Sequence, residues 1–220
     1  MKNVQIIGLP VIVSARYRVV LDQALCHQYG IPENGYVKIR TDGPTIFIYP
    51  SNSEIEDAEQ KKVTIGRFNL PMPWVRENQA KVGEYAYLMA TGSCIQLRWK
   101  PWENCGVGYI LGIPTKIFSG CMLYIPRTFW DHYGFHSDSD KVIRRVKEDQ
   151  ILFLRADSSK QLPYGDEMLH VDRHRVHIPP VWVKRQGLKI GDTVWLVGME
   201  DGMTVMPQQW FQFKKTQNIS

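Results

Sequence analysis

Residues 168–187 decide the fold: Met168-Leu169-His170-Val171-Asp172, then Arg173-His174, then Arg175-Val176-His177-Ile178, then Pro179-Pro180-Val181-Trp182-Val183-Lys184-Arg185-Gln186-Gly187. The two apolar-alternating runs read as extended segments separated by two turn residues, so a tight strand pair or one bent ribbon is expected. Pro179-Pro180 presets φ at a helix start, and Gly187 stands where a helix end needs a left-handed residue, which confines the helix to fewer than two turns. Beyond it Gly191-Asp192 turns, Val194-Trp195-Leu196-Val197 runs as a strand, Glu200-Asp201-Gly202 turns again, and Met203-Thr204-Val205-Met206 returns before Pro207. The unit is β-β-α-β-β.

Outward from this unit the pattern recurs in the order A-B-A-B. Leu70-Pro71, Trp74-Val75, Gly83-Glu84 and Leu88 return as Ile178-Pro179, Trp182-Val183, Gly191-Asp192 and Leu196, a shift of 108. Gly8-Leu9-Pro10, Leu21 and Tyr29-Gly30-Ile31 return as Gly112-Ile113-Pro114, Ile125 and Tyr133-Gly134-Phe135, a shift of 104. Self-similarity at a fixed period specifies architecture before any residue is given chemistry. The third unit carries one extra residue near Ser137-Asp138-Ser139, and Gln79 stands where the other units have the stop glycine. The duplication divides the chain into 1–104, with units at about 4–50 and 55–101, and 105–220, with units at about 107–156 and 164–210.

A unit of about 45 residues exposes two hairpins and a helix too short to cover them. Two units that exchange hairpins bury both apolar faces and remove open strand edges. The expected fold is therefore mostly β with short helices: two tandem swapped-hairpin β-barrels, each built from two ββαββ units.

Composition fits an ordinary globular protein, with 44% hydrophobic and 22% charged residues. A net charge of +5 favours acidic partners without demanding them. Cys26, Cys94, Cys105 and Cys121 form no CxxC pair, so reduced thiols are expected and structural zinc is not. The opening Met1 to Ala15 has the apolar look of a signal peptide, but its Gly-Leu-Pro core is copied at Gly112-Ile113-Pro114, which marks it as structure. No run reaches the roughly 18 apolar residues of a membrane helix, so a cytoplasmic location without membrane partners is expected.

Val171 through Pro179, followed by Gly187-Leu188-Lys189-Ile190-Gly191-Asp192-Thr193-Val194-Trp195-Leu196 and Gly202, resembles the AbrB/SpoVT/MazE swapped-hairpin family. The fourth unit carries the resemblance nearly throughout and the others in part. It implies a bacterial, archaeal or phage DNA-binding protein, a transcriptional regulator in which two units form one barrel. Members usually supply one unit per chain and dimerise; this chain would hold both partners covalently, twice over, as a pseudo-dimeric monomer or a higher homo-oligomer. In the family the first hairpin's basic residues approach DNA. By register these are Arg18, Arg67 and Arg175, with Arg16 and Arg173 two residues upstream in the first and fourth units. Residues two apart on a strand share a side, so each pair could present two guanidiniums to phosphates or guanine edges. Gly120 and Met122 hold these places in the third unit, and Lys116 and Arg127 are nearby but out of register, so a lopsided footprint is expected.

Lys184-Arg185 serves the C-terminal dipole of its helix and adds candidate phosphate contacts. Arg144-Arg145 and Lys147 read as an exposed strand edge. His170, Asp172 and His174 share a strand face, as a metal site would need, and His132, His136, Asp138 and Asp140 make a second cluster; solvated hairpin residues and a turn are the simpler readings, and no cofactor is expected. Trp74, Trp130 and Trp182 fall on helices and are expected to plug barrel ends, whereas Trp99, Trp102 and Trp210 lie near linkers or the C-terminus. The sequence shows no nucleophile elbow, phosphate-cradling loop or zinc-protease histidine pair, so a binding protein rather than an enzyme is expected. The rival to a DNA regulator is a protein-interaction module, antitoxin-like or a phage-encoded inhibitor, on the same scaffold.

Overall fold

The computed structural model describes residues 5–100, 102–103, 110–135, 141–156, 162–171 and 173–207. The first unit comprises β1 (Gln5–Ile7), β2 (Leu9–Ile12), β3 (Arg18–Val20), α1 (Gln23–Gln28), β4 (Gly35–Asp42) and β5 (Thr45–Pro50). The second comprises β6 (Glu59–Val63), β7 (Arg67–Asn69), α2 (Met72–Glu77), β8 (Tyr85–Thr91) and β9 (Ile95–Arg98), with β10 (Trp102–Glu103) after it. The third comprises β11 (Ile110–Phe118), β12 (Met122–Tyr124), α3 (Arg127–Tyr133), β13 (Lys141–Val146) and β14 (Ile151–Arg155). The fourth comprises β15 (Asp166–His170), β16 (Arg175–His177), α4 (Pro180–Arg185), β17 (Thr193–Met199) and β18 (Gly202–Pro207). The protein is mostly antiparallel β with short helices, and no helix among the described residues is long and apolar enough to cross a membrane.

Each helix is short for a local reason. Asp22 caps α1 by accepting from the Leu25 amide at 3.0 Å, and prolines open α2 and α4. Gly30, Gly134 and Gly187 follow α1, α3 and α4 with φ of +63°, +65° and +68°, the left-handed exit expected of them. Gln79 takes the same turn at +53° without being glycine. Each helix buries two adjacent residues: Leu25-Cys26, Trp74-Val75, Phe129-Trp130 and Trp182-Val183. Trp99 lies edge-on to Trp74 with centroids 6.3 Å apart. The backbone of Trp102 is described but its surroundings are not, and Trp210 and Cys105 lie outside the described residues.

Strand order interleaves the units. In the first half it runs β6-β4-β5-β9-β8-β2, so the first unit's second hairpin lies between strands of the second unit. In the second half it runs β15-β13-β14-β18-β17-β11. Registers correspond: Leu9 faces Leu88 as Ile113 faces Leu196, Val37 faces Lys61 as Val142 faces Leu169, and Ile46 faces Leu97 as Ile151 faces Val205. The shifts are 104 or 105 on one side of each ladder and 108 on the other, the residue of difference falling after the third unit's insertion.

The halves are also exchanged. β1 pairs with β17 (Ile6 with Met199), while the start of β11 pairs with β8 (Ile110 with Thr91). One continuous sheet therefore passes through both halves. Tyr29 donates its hydroxyl to the Thr91 carbonyl and Tyr133 donates to the Met199 carbonyl at 2.7 Å, and burial pushes both phenols up. Gly198 is required at the crossing, because a Cβ there would run into the Ile7 carbonyl, the Tyr133 hydroxyl and the Phe129 ring.

The ladder does not seal into barrels, which corrects the expectation of closed cylinders. β6 and β15 each pair on one side only among the described residues, so each half of the ladder ends on an open strand. In the first half β3 and β7 form a separate two-stranded sheet.

The structure also corrects the expectation for Arg144. It lies on β13, between β14 and β15, and is 6% exposed. It donates to the His177 carbonyl at 2.8 Å, contacts His177 Nδ1 at 3.2 Å and pairs with Glu167. Arg145 forms a two-pronged pair with Asp166 at 2.9 and 2.8 Å, which holds that carboxyl below its ordinary value.

Candidate nucleic-acid interface

The β3–β7 ribbon places Arg18 across from Asn69, Val19 across from Phe68, and Val20 across from Arg67. Val19 and Phe68 are buried, so by strand alternation Arg18, Val20 and Arg67 point outward. Arg16 and Tyr17 make the turn before β3 with φ of +63° and +53°, and Ser14 fastens it by donating its hydroxyl to the Arg18 carbonyl at 2.8 Å. Arg16 is exposed, and the half-exposed Arg18 donates through Nε to the Ala15 carbonyl at 3.3 Å. Arg67 closes a two-residue turn with Thr64, both central residues, Ile65 and Gly66, having positive φ.

The second half repeats this geometry with other residues. β12 pairs with β16, putting Met122 across from His177, Leu123 across from Val176 and Tyr124 across from Arg175. Leu123 and Val176 are buried, and Tyr124 and Arg175 are exposed. Arg173 and His174 make the tight turn at φ of +48° and +62°. The His174 amide oxygen accepts from the Ile125 amide at 2.9 Å, as that of Gly66 accepts from Leu21 at 2.8 Å. Met122 and Gly120 supply no charge where the first unit has Arg18 and Arg16.

Both ribbons border one groove of about 1010 Å³ between the halves. Its walls are β2 with the first turn of α1, and β11 with the first turn of α3; α1 packs against β11 and α3 against β2. Val20 and Tyr124 belong to its lining, so their cross-strand partners Arg67 and Arg175 stand on its two shoulders. Among the described residues no ion pair involves Arg16, Arg18, Arg67 or Arg175, which leaves their charge for an external anion.

Lys184 and Arg185 are exposed but stand apart from the ribbons. They end α4 beside the β13–β14 turn, where Gln186 donates to the Glu148 carbonyl at 2.6 Å. That turn meets the start of β15, at Asp166, whereas the Arg173-His174 turn follows its end. Sequence reasoning set Lys116 and Arg127 aside as out of register; both line the groove. Only the packing of α1 and α3 across the halves brings them there, and no local sequence signal encodes that.

Among the described residues the histidines do not converge. His174 packs against Trp130 and Tyr124 at 5.8 and 6.3 Å between centroids, and His177 faces Arg144. Asp172, His136, Asp138 and Asp140 lie outside the described residues, and His132 is held below its ordinary pKa by burial. Cys26, Cys94 and Cys121 are free, and burial pushes the Cys26 thiol up to about 11. Comparison with family models, curated proteins and solved structures finds no match to this chain.

Proposed function

We propose that the chain binds double-stranded DNA as a regulator of swapped-hairpin type, internally duplicated A-B-A-B, with residues 1–104 and 105–220 each contributing one interleaved pair of units. The matched registers of the two halves support the duplication. One observation carries the functional reading: two outward ribbons bear Arg67 and Arg175 at equivalent places on opposite shoulders of one groove, unpaired with any carboxylate among the described residues. Arg16, Arg18 and Arg173 extend the basic surface at the turns. Strand-borne arginines of this kind neutralise phosphates and leave site selection to groove width and deformability. The third unit's missing arginines make the footprint lopsided.

Fluorescence anisotropy of a random duplex across a salt series tests this. Affinity falls steeply with salt, and Arg67→Ala with Arg175→Ala reduces the slope of log K against log salt by about 2, near 0.9 per phosphate contact. A salt-independent affinity, no affinity, or an unchanged slope in the double variant rejects the reading.

A further inference from the structure

We infer that the groove between the halves binds an anionic amphiphile, a long-chain carboxylate whose headgroup meets Lys116 and Arg127 and whose acyl chain lies along β2 and β11. The volume of about 1010 Å³ stands at the upper end of small-molecule sites, which run to about 1,000 Å³. Its exposed surface is mostly apolar, and Ile12, Val20, Phe118 and Tyr124 along it remain between 43% and 52% exposed, a grouping of large apolar side chains that a surface does not ordinarily leave uncovered.

The two walls match in shape but not in charge. At a shift of 104, Lys116 corresponds to Ile12 and Arg127 to Gln23, so both lysine and arginine of the lining come from the third unit. Asp22 is the lone carboxylate of the lining, and its side chain is occupied in capping α1. Lys116 has no ion-pair partner among the described residues, and Arg127 has only an exposed Asp131 at 3.7 Å, a weak pair. An apolar trough with unmatched cations in one of its walls fits a molecule with an anionic head and a hydrocarbon tail. A neutral ligand leaves the cations unmatched, and a nucleic acid leaves the apolar wall unused.

The test is isothermal titration of the full chain with dodecanoate below its micelle concentration, with dodecyltrimethylammonium as the charge-reversed probe. Saturable binding of dodecanoate, at least tenfold tighter than that of the cation, is expected. Lys116→Glu with Arg127→Glu weakens it at least tenfold, as does Ile12→Asp in the chain path, with circular dichroism unchanged in both. Absent binding, equal affinity for the two probes, or indifference to these substitutions overturns the inference. So does a sedimenting dimer that Ile12→Asp dissociates, which gives the groove to a second copy. No arm uses DNA, so this inference and the duplex reading fail separately.

Discussion

Replacing Arg144 tests how interleaved units tolerate a buried charge. Its side chain is 7% exposed, whereas that of its partner Glu167 is 62% exposed, so the cost of losing the pair falls on the arginine's own surroundings. Arg144→Ala removes a packed stem and takes the guanidinium donor from the His177 carbonyl. A lost charged hydrogen bond costs about 1.5–3 kcal/mol and a truncated core side chain about 2–5, with partial overlap, so a loss of about 3 kcal/mol is expected. Arg144→Met keeps the stem volume and removes the desolvation of a cation, which offsets the lost bonds and leaves the change within about 1 kcal/mol. Ile39, the register equivalent on β4, is buried without any charge, so the position accepts an apolar residue. Urea unfolding followed by tryptophan fluorescence reads both, and at about 2–4 °C per kcal/mol the alanine variant melts about 6–12 °C lower. Equal losses for alanine and methionine would show that the lost guanidinium contacts, not the packing of the stem, set the cost.

Gln79→Gly relieves a left-handed backbone at an exposed residue and raises stability by about 0.5–1 kcal/mol, measured by urea midpoint; a loss would refute the strain. Ile65→Asn does the same at a β-branched residue with φ of +51° that is 63% exposed, a gain of about 1 kcal/mol by the same assay. Burial raises the Asp22 pKa above its ordinary value, outweighing the amide bonds that lower it, so the ionised form is the disfavoured one in the fold. Asp22→Asn keeps the cap acceptor and is stabilising at pH 7, and this advantage shrinks as pH falls through the raised folded pKa of Asp22. Asp166 has the opposite sign: the hydrogen bond from Arg145 lowers its pKa, so its contribution is present above the ordinary carboxylate value and lost as pH falls through the lowered one. Asp166→Asn therefore removes part of the acid limb of a stability-against-pH curve, and an unaltered limb would contradict the pairing.

Spacings of 104 and 108 read from the sequence recur between the ladder registers of the two halves, and a one-residue slip in either would turn every buried side chain outward. Helix stops were legible at Gly30, Gly134 and Gly187, since a positive φ after a short helix is a local demand that glycine meets most easily. Arg18, Arg67 and Arg175 were placed by register with the resembled family, and alternation about the buried Val19, Phe68 and Val176 turns them outward, whereas Arg16 and Arg173, expected on the same strand side, instead make the turns at positive φ. Arg144 was misread from that same alternation: it sits among residues that look like an edge, and only the arrival of β15 along its flank buries it. Pairing of each A unit with the B unit that follows it was expected from chain order, but the exchange of strands between the halves was not legible. β2 and β11 have nearly the same pattern, β8 and β17 offer nearly the same partner, and local periodicity is degenerate between them. Tertiary packing resolves the choice by splitting it, with β1 going to β17 and the start of β11 to β8. The groove, its two arginine shoulders and its uneven charge follow from that exchange, since they exist only where surfaces from distant parts of the chain meet.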